Sequence, residues 1–557
     1  MRADRAELVE RVLRERRASG PGADPILRRA SRGPAPLSAA QRRLWILHQL
    51  EPGSSGSNRP LGLTLSGPLD QAALAGGLDE ILRRHEALRT TFPEVGGEPV
   101  QSIQPAAGIP LPLIDLHSLP EPERAAEARR IARMEVGRPF DLARGPVVRA
   151  VLLRLDQQEH LLLLLMHHIV FDGWSQGVLI RELSEIYEAF AAGRSSPLSE
   201  PAIQHSDFAA WEREQLEAGR LQEDLRYWRE RLQPLPPPLA LTTDFPMPSG
   251  PRVEGAEVRF RLSPQLSARL REWCRAERVT PFMALLSAFQ LLLGRYARQH
   301  EFLFGVPVAG RNRAETEELV GCFMNIMLMR ADLTGNPSFC ELVGRTRAQT
   351  LDSYAHQELP FERLVQELQP ERRPNRWPLF DVLFNLRNVP NATLDSAGTL
   401  RIGIYPFDRV SIEGLSLSLQ FEHGSEGFNG SLGYAAELFR PETMHRLAEN
   451  FIALLTAGLE QPDRPAALLP LVAGAESRAL LHEWNRTDAA YDRDACAHQL
   501  IGVQAARAPG AIAVSSPAGQ LDYRELDRRS NRLAHRLREL GVGPDVIVAV
   551  YLERSPE

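Results

Sequence analysis

The stretch from Val147 to Gly193 constrains the fold more than any other part of the chain. VVRAVLLRL, a polar turn Asp156-Gln157-Gln158-Glu159 and HLLLLLM read as the two strands of a buried hairpin, because runs this apolar without alternation need cover on both faces. The second run ends on His167-His168-Ile169-Val170-Phe171-Asp172-Gly173. Beyond it Val178, Leu179, Leu183, Ile186 and Tyr187 recur at helical spacing, with Ser175 expected to cap that helix. Two histidines and a carboxylate therefore sit on a loop between strand and helix, where rigid backbone can hold a side chain toward a cleft.

At 557 residues the chain is too long for one hydrophobic core, and a prior of about 150 residues per domain suggests roughly three or four units. Charged residues at 24% and apolar residues at 43% exclude wholesale disorder and a membrane protein. The longest apolar runs, Leu161 to Met166 and Val546 to Leu552, fall far short of the roughly 20 residues that span a bilayer, so no membrane partner is expected. Met1 leads into Arg-Ala-Asp-Arg-Ala-Glu, which lacks the apolar core of a secretory signal and points to the cytoplasm. Cys274, Cys322, Cys340 and Cys496 form no Cys-x-x-Cys pair and are expected to be small buried hydrophobes rather than disulfides or zinc ligands. A formal charge of −6 and the lack of a basic face interleaved with aromatics argue against nucleic acid as a partner.

The rest of the chain reads as mixed α/β (α+β). A helical leader over residues 3 to 17 ends in Ser19-Gly20-Pro21-Gly22 and a linker. Ser38 should cap a helix from Ala39 to Leu50, and another helix follows at about Leu69 to Glu86. Pro234 to Pro251 is proline-rich and reads as linker or surface loop. Val258 to Leu262 then reads as a strand, Pro264 to Arg275 and Pro281 to Ala297 as helices, and Phe302 to Val308 as a strand. The spacing changes again between Gln461 and Tyr491, and a new α/β segment begins near His498.

Three chemistries compete at the histidine loop, beside a purely structural role for a buried histidine and a non-catalytic binding module. Imidazole titrates near neutrality and can position or accept a proton from an attacking amine. Asp172 would anchor the loop through an arginine, and Gly173 would allow close backbone approach to a bulky ligand. Gly173-Trp174-Ser175-Gln176-Gly177 also matches the Gly-x-Ser-x-Gly elbow of serine hydrolases. That elbow needs its serine directly at the strand tip, whereas about eight residues separate Ser175 from Met166. Metal binding is the third. His167 and His168, adjacent on extended backbone, should point to opposite faces and cannot easily share an ion, so no metal is expected.

The His-His-x-x-x-Asp-Gly run resembles the hallmark of the condensation domains of non-ribosomal peptide synthetases, and other motifs of that family stand in order around it. They are Ser38 to Trp45 (SAAQRRLW), Arg84 to Phe92 (RHEALRTTF), Ser206 to Trp211 (SDFAAW), Val306 to Arg311 (VPVAGR), Val320 to Asn325 (VGCFMN), His356 to Glu362 (HQELPFE) and Arg372 to Leu379 (RRPNRWPL). The Asp-rich motif of heterocyclisation domains is absent. Leu481 to Thr487 (LHEWNRT) resembles the linker to an adenylation domain and Leu521 to Leu526 (LDYREL) an early adenylation motif, an arrangement that does not normally follow an epimerisation domain.

The resemblance implies two chloramphenicol-acetyltransferase-like lobes in a V-shaped pseudodimer, plus a partial α/β adenylation subdomain. The implied divisions are a leader and linker over 1–35, an N-lobe over 36–205, a C-lobe over 206–470, a linker over 471–495 and an adenylation start over 496–557. No phosphate loop follows before Glu557, so no ATP chemistry is expected of the chain itself. A tunnel between the lobes would reach His168, the implied catalytic residue, with His167, Asp172 and Gly173 supporting it. Arg84 or Arg89 would pair with Asp172, since burying that carboxylate unpaired is costly. The implied reaction transfers an acyl group to the amine of an aminoacyl thioester on a carrier protein's phosphopantetheine arm, with no intrinsic cofactor. With no carrier domain ahead of it, the donor should come from another molecule, either an acyl-CoA or an upstream carrier protein. Ser57-Asn58-Arg59-Pro60, where elongation domains more often carry Tyr-Asn-Ile-Pro, favours a starter domain using acyl-CoA.

Overall fold

The computed structural model describes residues 25–553 and 555, apart from 32, 249–254, 372–375, 388–399, 408–413, 425–426, 473 and 492. The leader helix expected over 3–17 and part of the Arg372 to Leu379 motif lie outside the described residues. The chain divides into two units, Met1–Ala473 and Gly474–Glu557.

In the first unit the leading elements are helix α1 (Ala39–Leu50), strand β1 (Asn58–Ser66), helix α2 (Gln71–Arg84), strand β2 (Leu113–Asp115), helix α3 (Glu121–Gly137), the hairpin β3 (Val148–Asp156) and β4 (Glu159–His167), and helix α4 (Gly173–Ala191). Ser38 caps α1 as expected, in a capping box with Gln41. Strand β4 lies between β1 and β3, antiparallel to both. One face of this sheet packs Leu61, Leu63, Leu162, Leu164 and Met166 against Leu78 and Ile81 of α2 and Leu183 and Ile186 of α4. The other packs Leu161, Leu163 and Leu165 against Ile131 and Val136 of α3. Cover on both faces is why β4 is an unbroken apolar run rather than an alternating one.

A second lobe is built from helices α5 (His205–Glu217) and α6 (Gln222–Leu232), strand β5 (Gly255–Arg261), helices α7 (Pro264–Ala276) and α8 (Pro281–Ala297), strands β6 (Glu301–Val308) and β7 (Asn325–Asp332), and helices α9 (Phe339–Ala355) and α10 (Phe361–Leu368). Strands β8 (Val382–Arg387), β9 (Arg401–Tyr405), β10 (Leu417–Gly424) and β11 (Gly427–Ala435) and helix α11 (Pro441–Glu460) complete it. Its six-stranded sheet runs β7-β6-β8-β10-β11-β5, with β7 at the edge.

Strand β9 leaves that lobe and pairs antiparallel with β1, completing the five-stranded sheet of the first lobe. Gly62 of β1 is required there, because a Cβ would lie 2.9 Å from that of Tyr405 on the incoming strand. Val320 and Cys322 of the second lobe also enter the core of the first. The two lobes are thus joined by strand exchange and by core packing.

The second unit holds helix α12 (Ala497–Arg507), the hairpin β12 (Ile512–Ser516) and β13 (Gly519–Asp522), and helix α13 (Tyr523–Glu539), which Asp522 caps. All four cysteines are free, but only Cys274 and Cys322 are buried. Cys340 is partly exposed and directs its thiol at Glu277, and Cys496 is exposed at the N-cap of α12. Neither is the buried hydrophobe expected from composition, because both stand at helix starts rather than on an apolar face. Among the described residues no helix is long and apolar enough to cross a membrane.

Candidate active site

Strand β4 ends at His167, and residues His168–Val170 form one turn of 3-10 helix before α4. The backbone N–H of His168 donates to the carbonyl of Ser57 at 2.8 Å, which fastens the turn to the start of β1. Alternation along β4 sets the facing of His167. Leu165 and Met166 face opposite cores, and His167 follows Leu165 toward Phe140 and His48, with ring centroids 6.2 and 5.8 Å away.

Hydrogen bonding fixes opposite tautomers on the two neutral rings. His168 Nδ1 lies 2.7 Å from the carbonyl oxygen of Phe171, which can only accept, so Nδ1 carries the proton and Nε2 presents a lone pair. No partner for that Nε2 stands among the described residues. His167 Nδ1 instead accepts from the Ile169 N–H at 3.1 Å, which puts its proton on Nε2.

Both rings are held neutral. Burial, followed by the positive charge of Arg59, pushes His168 well below the ordinary histidine value, and Arg43 and His167 add to this against the opposing Phe171 bond. Burial, His48 and Arg59 bring His167 down to about 3. His168 nevertheless keeps 6% of its surface exposed.

Asp172 is the N-cap of α4, accepting from the Ser175 N–H at 2.8 Å. Ser175, expected as the cap, is the third residue of the helix, and its own backbone N–H is the donor that the Asp172 carboxylate caps. The carboxylate partner is Arg311, not Arg84 or Arg89. Arg311 Nη2 lies 3.1 Å from Asp172 Oδ1 and 3.3 Å from Oδ2. The Phe323 N–H donates to Oδ2 at 3.1 Å. The Arg311 guanidinium stacks 4.1 Å above the Phe323 ring and also donates to the carbonyls of Thr316 and Leu319. Asp172 thus ties the histidine loop of the first lobe to two segments of the second.

Arg84 is committed elsewhere because a nearer carboxylate claims it. Its guanidinium forks onto Glu182 of α4 at 3.0 and 3.1 Å and donates to Ser199 O. Burial raises the Glu182 carboxyl, but hydrogen bonds from His85 and Arg84 outweigh it and hold the group down at about 2. Arg89 faces Glu86, 3.6 Å away, and donates to Gln104 O. Both arginines brace the first lobe away from Asp172.

The remaining neighbours of the latch come from the VPVAGR and VGCFMN segments. Gly310 has φ +65°, and a Cβ there would lie 1.9 Å from the Phe323 carbonyl, so no other residue fits beside Arg311. A Cβ on Gly321 would meet the His205 ring at 2.4 Å. His205 bonds Cys322 O at 3.0 Å and is brought down to about 4, chiefly by burial. Gly173 opens α4 on the exposed side, with nothing within 4 Å of where a Cβ would stand, so packing within the chain does not demand glycine there.

The hydrolase alternative meets a direct geometric obstacle. Ser175 is fully buried, and its one hydroxyl proton has Asp172 Oδ1 at 2.7 Å and Gly321 O at 2.9 Å as acceptors. The same oxygen accepts from the Gly321 N–H and from Arg311. Among the described residues no histidine bonds it, and the Asp172 carboxylate it meets is already engaged by Arg311 and the Phe323 N–H, so the serine–histidine pair of a hydrolase is not formed. Among the described residues no group of three or more His, Cys, Asp or Glu is placed to hold a metal ion.

The chain matches a known family. The family model described as "Condensation domain" matches residues 31–481, and the chain belongs to that family, whose members in non-ribosomal peptide synthetases are amide-bond-forming acyltransferases. The model for "AMP-binding enzyme" matches residues 502–557, the start of an adenylation domain. The chain is 41% identical over 96% of its length to one of the linear gramicidin synthase subunits of Brevibacillus parabrevis and covers 10% of that protein. It is 39% identical over 98% of its length to phosphinothricin tripeptide synthetase PhsC of Streptomyces viridochromogenes and covers 50% of it. The chain therefore spans half or less of these relatives' lengths. Among solved structures, the X-domain from teicoplanin biosynthesis superimposes with a TM-score of 0.73 at 27% identity, over 81% of this chain and 100% of that one.

Proposed function

We propose that the chain catalyses amide formation on a non-ribosomal peptide synthetase, with His168 positioning the acceptor amine of an aminoacyl thioester carried on a phosphopantetheine arm. The observation that carries this reading is the bond from His168 Nδ1–H to Phe171 O, which leaves a lone pair on Nε2. Nε2 accepts a hydrogen bond from the amine N–H and turns the nitrogen lone pair toward the donor thioester carbonyl. As the C–N bond forms and the C–S bond breaks, the amine proton passes to the departing sulfur. An imidazole held well below its ordinary pKa is a weak base, so orientation outweighs full proton abstraction. The reaction is downhill and needs no acyl-enzyme.

His167 shapes the turn by accepting from the Ile169 N–H, and Asp172 anchors it. Gly173 leaves the start of α4 open toward substrate.

The proposed subtype is a starter domain that N-acylates the first amino acid from acyl-CoA. Support comes from Ser57-Asn58-Arg59-Pro60, which adjoins the site through the bond from His168 N–H to Ser57 O. Partners are then an aminoacyl carrier protein and the adenylation domain of the same synthetase, in the cytoplasm. The test offers the chain an aminoacyl carrier protein together with either a panel of acyl-CoAs or an acyl carrier protein, with mass spectrometry of the carrier-bound product. Transfer from acyl-CoA is expected. Transfer only from the acyl carrier protein overturns the starter subtype, and transfer from neither overturns amide formation.

A further inference from the structure

A cavity of about 470 Å3 opens in the second lobe, at the end of β7 remote from Asn325 and the Asp172–Arg311 latch. Three arginines from three elements line it: Arg231 near the end of α6, Arg330 on β7 and Arg345 on α9. Two carboxylates, Glu301 and Asp332, line it as well. The volume is that of a small-molecule site, but the lining departs from the usual apolar one.

Part of the lining is polar and buried. Gln290, Thr346 and Gln349 are each buried, and Gln290 donates to Thr346 Oγ1 at 3.4 Å. With its amide oriented to satisfy both groups, Gln349 bonds the Arg330 N–H and carbonyl of the sheet edge at 2.7 and 3.0 Å. That pairing blunts the edge strand and fixes the backbone from which Arg330 projects.

The charges do not cancel. Arg330 is 2.9 Å from Glu301, and Arg345 is 3.6 Å from Asp332. Arg231 has no ion pair or hydrogen bond among the described residues. Three cations against two anions leave one positive charge in the lining. A guanidinium has five N–H donors, and Arg345 commits only Nη1, to the carbonyls of Asp332 and Thr334. Its Nε and Nη2, together with the whole Arg231 fork, have no protein acceptor among the described residues, and both side chains face solvent. A ligand completing this set must be compact, anionic and rich in acceptor oxygens, which is the geometry that arginine forks match.

We propose that this cavity binds a phosphate-type oxyanion through the free donors of Arg231 and Arg345, independently of the chemistry at His168. The group is either free phosphate or the phosphoryl end of a small ester. Isothermal titration of the full chain with inorganic phosphate, and separately with glycerol 3-phosphate, against a chloride control of matched ionic strength, tests this. Saturable binding is expected, weakened at least tenfold in Arg231→Gln and in Arg345→Gln and partly restored in Arg231→Lys. Binding of phosphate alone identifies the free ion, and binding of both identifies a phosphate ester as an accepted ligand. Absence of saturable binding, or affinity unchanged in both glutamine variants with wild-type melting temperatures, overturns the proposal.

Discussion

Arg311 Nη2 stands 3.1 Å from Asp172 Oδ1 and 2.9 Å from Ser175 Oγ, joining groups 139 and 136 residues apart in the sequence. Both charged side chains are almost wholly enclosed, at 1% and 4% exposure. Removing one partner strands the other charge away from water. Arg311→Met should therefore lower unfolding free energy by about 3–5 kcal/mol, read by urea denaturation. Adding Asp172→Asn should cost much less than the sum of the two single changes, because both break one interaction. Strict additivity would show that the Asp172–Arg311 pair has no coupling energy.

Gly310 meets a backbone obstacle rather than a side chain. With φ +65° and the Phe323 carbonyl 1.9 Å from where an alanine methyl would stand, Gly310→Ala must displace the segment that carries Arg311. A loss of about 2 kcal/mol or more is expected from the same urea titration. Wild-type stability would mean that the segment moves freely.

Acid should unfold the chain steeply. His167, His168 and His205 are all held neutral below the ordinary histidine value of 6.5. The unfolded chain takes up their protons as pH falls through 6.5 while the folded chain does not, so stability present above 6.5 is lost on acidification. Each histidine contributes a slope of up to about 1.4 kcal/mol per pH unit. Glu212, pushed up to about 7 chiefly by burial, works in the opposite direction between its ordinary 4.5 and 7 and offsets part of this. Urea midpoints measured from pH 7.5 to 5 should fall throughout, and a flat profile would contradict the buried neutral rings.

Arg59 should set the acid limb of the reaction. Its charge is the second cause, after burial, of the lowered His168 value. The wild-type rate should hold below pH 6.5 and fall only as His168 finally protonates. Arg59→Met removes a repelling cation, raises the histidine value and moves that limb upward, whereas Arg59→Lys should leave it in place. An unmoved limb in Arg59→Met would separate His168 from the titration that limits the rate.

Much of the scaffold is readable from residue pattern. Leu161 to Met166 mark a strand covered on both faces, and Ser38 with Gln41 marks a helix start, because both signals are local. The facing of His167 also follows from strand alternation, whereas His168 lies one residue past the strand, in the 3-10 turn. The partner of Asp172 does not. Arg84 and Arg89 are the nearer basic residues of the same lobe, while Arg311 reaches the carboxylate only through packing of the second lobe. One signal does exist: Gly310 beside Arg311 marks a close backbone approach. The cap at Asp172 escapes the pattern because Asp and Ser three residues apart are both good caps, and only the hydrogen bond to the Ser175 N–H separates them. Strand β9 escapes it for a similar reason, since its five residues carry no sign of which sheet they join.

The most direct test of the role given to His168 compares it with Ser175 at the start of α4. Single-turnover amide formation, followed by mass spectrometry of the carrier-bound product, should fall by at least about 100-fold in His168→Ala with the melting temperature preserved. Ser175→Ala, which opens the Asp172–Arg311 network, should lower the melting temperature yet keep the rate within a few-fold of wild type at a temperature where it is folded. A wild-type rate in His168→Ala, or loss of amide formation in folded Ser175→Ala, would contradict an amine-positioning role for His168.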